Sequence, residues 1–188
     1  MQSSIKKYLR RMILEEIDAL PPGYIEDSDK NLFLRVTLLR EFIDARSIMM
    51  YYSVKREPDT LAIAEVALSL GKTVSFPRCG KDGVMHARAV QTLGELQPAA
   101  LGIPAPPDTA PLVEPEDLDL IIVPAITYDI YGYRLGYGGG YYDRYLCRTS
   151  AFTLGLARER MLKDELPREP HDVAVRYLAT ESRGDIFA

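Results

Sequence analysis

Residues 119–146 read DLIIVPAITYDIYGYRLGYGGGYYDRYL. The segment opens as an unbroken apolar run, Leu120-Ile121-Ile122-Val123, which Pro124 stops. A short apolar run bounded by a breaker reads as a buried strand. A glycine loop follows, and a helical pattern resumes near Tyr141. Five of the chain's 13 glycines (Gly132, Gly136, Gly138, Gly139 and Gly140) fall within nine positions, and seven of its 12 tyrosines lie between Tyr128 and Tyr145.

A buried strand feeding a glycine loop and then a helix can bind phosphate. Glycines let backbone N–H groups approach an anion, and a helix N-terminus adds a favourable dipole. Composition alone also allows a surface hairpin. Arg134 before the glycines and Asp143-Arg144 after them favour the first reading, since they frame the loop with a cation for phosphate and a carboxylate for a metal. The loop matches neither common nucleotide motif. A Walker loop ends in Gly-Lys-Ser/Thr, whereas Tyr141-Tyr142 follow Gly140, and a dinucleotide fingerprint needs a third glycine where Tyr141 stands.

The stretch GYRLGYGGGYYDRYL closely resembles the signature of the 5-formyltetrahydrofolate cyclo-ligase family (methenyltetrahydrofolate synthetase). That signature reads roughly Gly-x-Arg-Leu-Gly-x-Gly-x-Gly-Tyr-Tyr-Asp-Arg, and residues 132–144 match it throughout.

The rest of the chain is ordinary in composition. It has 188 residues, 47% apolar and 27% charged, which suits one domain spanning 1–188 with an adequate core. No apolar stretch approaches membrane-spanning length, and the charged, amphipathic N-terminus lacks a signal core. Cys79 and Cys147 read as free thiols in a reducing compartment, hence a cytoplasmic protein. A net charge of −4 argues against a nucleic-acid partner, so positive charge for an anionic ligand must be gathered locally.

In chain order, Ser3 or Ser4 is expected to cap a helix running to about Leu20, with Ile5, Leu9, Met12, Ile13 and Ile17 on its apolar stripe. Lys6 and Arg10 share a face, as do Lys7 and Arg11. A second helix is expected from Asp29 to about Ala45 and a strand over Ser47–Val54. The turn Lys55–Thr60 precedes a helix Leu61–Leu70, ended by Gly71. Strands are expected at Thr73–Phe76, stopped by Pro77, and at Val84–Ala87, Phe152–Ala157 and Tyr177–Glu181. A helix is expected over Tyr141–Arg148. Alternating strand and helix signals predict an α/β fold with a mostly parallel sheet and helices on both faces. Glu57 then falls beyond the C-terminal end of a strand, the edge where such sheets bind ligands.

The resemblance sharpens this picture. It implies a single-domain, Rossmann-like three-layer α/β/α sandwich. It also implies ATP-dependent closure of 5-formyltetrahydrofolate, with or without a polyglutamate tail, to 5,10-methenyltetrahydrofolate. Members begin with a Lys-x-x-x-Arg pattern that contacts ATP and folate, matched by Lys6 and Arg10. ATP would further lie on Arg134, Leu135, Gly136, Tyr137, Gly138, Gly139, Gly140, Tyr141 and Tyr142, with Arg134 catalytic and Asp143 holding Mg²⁺. Folate would meet Tyr52, Glu57, Met85, Tyr141 and Tyr142. Leu101–Pro104 resembles a family loop, and Pro167–Asp172 resembles a Pro-x-Glu-x-His-Asp segment, which leaves open whether His171 and Asp172 belong to the site.

Three positions depart from the pattern: Tyr128 for a phenylalanine, Met161 for a glutamine, and Arg176 for an acid. A monomer or weak dimer without membrane association is expected. The competing readings are a non-catalytic folate- or nucleotide-binding relative with a regulatory role, and an interaction protein using the Tyr/Gly loop.

Overall fold

Four consecutive apolar residues on a strand must bury side chains to both sides, so Leu120–Val123 requires protein on both faces. The computed structural model, which describes residues 2–80, 83–99 and 102–187, puts all four at 0% exposure. In chain order the elements are α1 (Gln2–Asp18), α2 (Pro22–Thr37), α3 (Arg40–Asp44), β1 (Ser47–Met50), α4 (Leu61–Ser69), β2 (Thr73–Cys79), β3 (Met85–Val90), β4 (Gln97–Pro98), β5 (Pro104–Ala105), β6 (Leu112–Val113), β7 (Leu120–Val123), β8 (Thr127–Tyr128), β9 (Arg134–Leu135), α5 (Tyr141–Leu146), β10 (Phe152–Leu156), β11 (Tyr177–Ala179) and β12 (Gly184–Ile186).

The main sheet has the order β12-β11-β10-β7-β1-β2-β3-β6. The run from β11 to β2 is parallel, and both edges are antiparallel. Side chains alternate across it. Ile48, Met50, Leu120, Ile122 and Leu154 join Leu32 and Val36 of α2, Phe42 of α3, and Ile63, Ala64 and Ala67 of α4. Met49, Ile121 and Val123 point the other way, onto Tyr145 and Leu146 of α5. This is the expected three-layer sandwich with a mostly parallel sheet. A third cluster joins Ile13 and Leu20 to Ile126, Leu135, Met161 and Leu166. Ile126 follows β7 and Met161 follows β10, so the α1 region covers the carboxyl end of the sheet.

That edge is also a topological switch point. From β1 the chain crosses through α4 to β2 on one side. From β7, the other neighbour of β1, it crosses through α5 to β10 on the opposite side. The loops after β1 and β7 therefore diverge above adjacent strand ends and leave a crevice between them.

Several boundaries differ from expectation. Helix α1 begins at Gln2, so neither Ser3 nor Ser4 caps it. Pro21-Pro22 does more than stop a helix. Pro21 is extended and Pro22 occupies the first turn of α2, where a missing N–H costs nothing. The expected Asp29–Ala45 helix is instead two, because Leu39 is extended (φ −69°, ψ 135°). Pro77 does not end its strand. It lies beyond Ser75, the last β2 residue paired with β1, where the strand has a neighbour on one side only. Gly71 does end α4, with φ +73° and the N–H groups of Gly71 and Lys72 turned back onto the carbonyls of Leu68 and Ala67. Leu101 lies outside the described residues. Among the described residues no helix is long and apolar enough to cross a membrane, and Cys79 and Cys147 are free and exposed.

Tyr128, one of the departures, is fully buried and donates its hydroxyl to the Val123 carbonyl at 2.7 Å. Its ring fits because Gly155 of β10 has no side chain. A Cβ there would stand 2.7 Å from Tyr128 Cζ and 3.0 Å from Leu178 Cδ1. Gly155→Ala is therefore expected to destabilise the protein by about 1–3 kcal/mol through overpacking. Gly23→Ala, with nothing within 4 Å of the new Cβ, should leave the melting temperature equal or higher. Equal melting temperatures for Gly155→Ala and the parent protein would contradict this packing.

Candidate active site

The hairpin β8–β9 leaves the end of β7 and carries Arg134 into the glycine loop. Arg134 has only 4% of its side chain exposed. It donates to the Val173 carbonyl at 2.6 Å and pairs with Asp143 of α5 at 2.5 Å. The cation and the carboxylate that frame the loop in sequence thus touch in space. Gly138 and Gly140 take φ of +100° and +62°, values that other residues rarely adopt. A Cβ on Gly138 would stand 3.4 Å from Arg10 Cζ, and one on Gly140 would stand 2.9 Å from Arg144 Nη1. Arg10 Nε donates to the Gly136 carbonyl at 2.7 Å, so α1 supplies a guanidinium to the face of the loop.

Lys6, one turn earlier, is buried and donates to Glu169 at 2.9 Å and Asp172 at 2.7 Å. Burial lowers the pKa of its ammonium, but the two carboxylates together outweigh burial and the net shift is upward. The Lys6 hydrogen bond and charge hold Glu169 below its ordinary range. Burial opposes the same shift in Asp172, yet Lys6 and the Glu169 N–H still bring it down. Oxygens of Glu169 and Asp172 and a nitrogen of His171 lie within 4.8 Å of one another, and both carboxylates also contact Lys6.

Across the crevice, the loop after β1 carries Glu57. Its Oε1 accepts the Tyr137 hydroxyl at 2.5 Å and its Oε2 accepts the Val54 N–H at 2.9 Å. Burial raises the Glu57 pKa, against the lowering effect of those two donors. Tyr137 therefore bridges the two loops that diverge from the switch point. Tyr141 and Tyr142 pack against the core cluster containing Met85. The buried Tyr142 hydroxyl has no hydrogen-bond partner among the described residues, and burial pushes its pKa far up. An orphaned buried hydroxyl is a place where a ligand group can complete the bonding. Tyr52 is half-buried against the opposite core. Leu135 and Met85 are 1% and 3% exposed, so they contribute backbone or packing rather than open side chains. A shallow cleft of about 400 Å³ between α2 and β11, lined by Leu34, Leu38 and Tyr177, contains none of these groups.

Two organising residues escaped the sequence reading. Asp129, fully buried, accepts the N–H groups of Tyr131 and Tyr133 on Oδ1, and those of Leu166 and Arg168 on Oδ2, at 3.0–3.2 Å. An aspartate three residues before Gly132 was a legible turn signal. Arg158, 2% exposed, holds the Glu57 loop. Its partners lie more than a hundred residues away in sequence, where no local pattern reaches. Of the other departures, Met161 packs in the third core cluster, and Arg176 is exposed just before β11.

Comparison with known proteins shows the family and agrees with the fold. The family model described as "5-formyltetrahydrofolate cyclo-ligase family" matches residues 2–181. The chain belongs to the 5-formyltetrahydrofolate cyclo-ligase family. It is 32% identical over 191 residues to the 5-formyltetrahydrofolate cyclo-ligase of Mycolicibacterium smegmatis, covering 98% of this chain and 97% of that protein. It is 28% identical over 184 residues to the Escherichia coli K12 protein of the same name, covering 92% and 98%. The NMR structure of Aquifex aeolicus 5,10-methenyltetrahydrofolate synthetase superposes with a TM-score of 0.87 at 29% identity, covering 97% of this chain and 92% of that one. The shared fold extends over nearly the whole of both chains.

The Lys6 contact carries a pH signature. Its contribution to stability is complete above the ordinary carboxylate values of 3.8 and 4.5 and below the ordinary lysine value of 10.5. It is lost as pH falls through the lowered Asp172 and Glu169 values, and again as pH rises through the raised Lys6 value. Thermal melts of the parent protein and Lys6→Met from about pH 3 to about pH 11 should show a gap that is widest near neutrality and narrows toward both ends. A gap independent of pH would contradict the ion-pair assignment.

Proposed function

We propose that this chain carries out the ATP-dependent cyclisation of 5-formyltetrahydrofolate to 5,10-methenyltetrahydrofolate, with release of ADP and phosphate, within a single domain. The observation that carries this reading is the Tyr137–Glu57 bridge at 2.5 Å. It puts a loop suited to phosphates beside a half-buried carboxylate suited to a pterin, at one edge of one sheet.

The N5-formyl group is an amide whose oxygen is a poor leaving group. In the proposed reaction the formyl oxygen attacks the γ-phosphorus and ADP departs. N10 then attacks the activated carbon, loses its proton, and phosphate leaves with the former formyl oxygen. Such chemistry asks for positioning and charge stabilisation rather than a protein nucleophile. Backbone N–H groups of Gly136–Gly140 would cradle the phosphates, while Arg10 and Lys6 would neutralise them. Arg134, held by the Val173 carbonyl and Asp143, would stabilise charge developing on the transferred group. Glu57 would accept N–H donors of the pterin, Tyr52 and Tyr141 would offer it flat surfaces, and the orphaned Tyr142 hydroxyl would take a polar substrate atom. Met85 would act through the packing behind these tyrosines.

Asp143 fits Mg²⁺. Its Oδ1 takes Arg134, while its Oδ2 carries no hydrogen bond among the described residues, and hard divalent ions prefer such carboxylate oxygens. Bound there, Mg²⁺ would offset phosphate charge.

Purified protein mixed with 5-formyltetrahydrofolate, Mg²⁺ and ATP is expected to develop methenyltetrahydrofolate absorbance only when ATP is present. Absence of ATP-dependent product would leave the binding-only relative as the better reading. Arg134→Ala should lower kcat by about 100-fold or more, as loss of a transition-state donor does, while retaining a cooperative melt. Near-normal turnover in that variant would remove Arg134 from the mechanism.

A further inference from the structure

We propose that Arg158 is a positioning residue for the folate side of the reaction, holding the Glu57 loop from the end of β10. The inference rests on the reading of Glu57 as a folate contact. Arg158 follows β10, two strands away from β1 in the sheet order. Its guanidinium spans that gap. Nη2 donates to the carbonyls of Arg56 at 3.1 Å and Glu57 at 3.2 Å, Nε donates to Arg56 at 3.3 Å, and Nη1 donates to Ile25 of α2 at 3.3 Å. Nη2 also pairs with Asp29 Oδ1 at 2.9 Å, and the same oxygen accepts the Asp59 N–H at 3.2 Å. One buried cation therefore fixes the backbone immediately before and at Glu57, and through Asp29 the backbone two residues after it.

The loop needs an outside hold. Lys55 sits at φ +56°, in the left-handed region that a side chain disfavours, and such a conformation persists only where its surroundings over-determine it. Within the loop, Glu57 N–H meets the Val54 carbonyl at 3.1 Å, and its carboxylate turns back onto the Val54 N–H. These contacts close the turn but do not fix it to the sheet. Arg158 ties it across to the end of β10, beside the Tyr51 hydroxyl on the Pro58 carbonyl and the Arg56 guanidinium on the Leu20 carbonyl, and so helps set where the carboxylate stands relative to the glycine loop. A planar fork with several donors can serve three carbonyls and a carboxylate at once, and an ammonium cannot.

The test compares steady-state kinetics of Arg158→Met, Arg158→Lys, Glu57→Gln and the Arg158→Met/Glu57→Gln double variant, varying each substrate separately. Arg158→Met should raise the KM for 5-formyltetrahydrofolate about tenfold, the scale expected when a binding group is misplaced by a fraction of an ångström, with the KM for ATP within about twofold. Arg158→Lys should recover part of that loss. The double variant should be no worse than the poorer single variant, since both changes act through one carboxylate. If Glu57→Gln raises the folate KM but Arg158→Met does not, the positioning role is overturned and the Glu57 reading stands. Losses that add in the double variant, or that fall equally on both substrates, also overturn it, because they mark a general structural role. If Glu57→Gln leaves the folate KM unchanged, the Glu57 reading fails and this inference fails with it. Should Arg158→Met not fold, Asp29→Asn removes the counter-charge while keeping the shape, and decides between the same outcomes.

Discussion

A single buried carboxylate, Asp129, ties together the parts from which the crevice is built. With no exposure to solvent, it accepts four N–H donors drawn from two segments. Two of those donors shape the turn between β8 and β9, so that Tyr128 faces Arg134 across the hairpin. The other two come from Leu166 and Arg168, and the Arg168 guanidinium lies 4.7 Å and 4.1 Å from the ring centres of Tyr131 and Tyr133. The chain then runs on to Glu169 and Asp172, which hold Lys6. A carboxyl acceptor in a dry site makes strong hydrogen bonds, and each donor left unpaired there would carry the full cost of desolvation. The direction of Arg134 and the location of Lys6 thus trace back to the same group.

The cations suited to phosphate are already neutralised within the protein. Arg134 leans on Asp143, and Lys6 on Glu169 and Asp172. This is how a chain with a net charge of −4 can hold several cations at one edge without self-repulsion. Contacts within the protein also span the crevice. Tyr137 reaches across it to Glu57 and the glycine loop rests on Arg10. A nucleotide would compete for contacts that exist, not fill a void.

Legibility in the sequence followed the range of the interactions involved. Leu120–Val123 was readable because burial on both faces leaves one pattern of residues, and α5 because glycines precede it and Tyr141 resumes a helical period. The break between α2 and α3 was not, since Leu38 and Leu39 continue an apolar helical spacing and only the backbone of Leu39 shows the turn. The edge strands β6 and β12 have two and three residues, too few to carry a period. Within the candidate site, residues 132–144 announced themselves through glycine, arginine and aspartate at fixed offsets. The contact between Arg134 and Asp143 did not, because two residues nine apart were read by separate roles and their meeting depends on how α5 folds back. Arg158 was illegible for a stronger reason, since every group it binds comes from the first third of the chain.

In the proposed reaction the glycine loop, backed by Arg10, would seat the nucleotide's phosphates. That central claim is tested most directly by following backbone amides and the Arg10 Nε–H by NMR in isotope-labelled protein titrated with Mg²⁺ and a non-hydrolysable ATP analogue. Saturable shifts are expected at Gly136, Gly138, Gly139 and Gly140 together with movement of the Arg10 signal. Unmoved loop amides, with the saturable shifts instead around Asn31–Leu39 beside the α2 cleft, would contradict it.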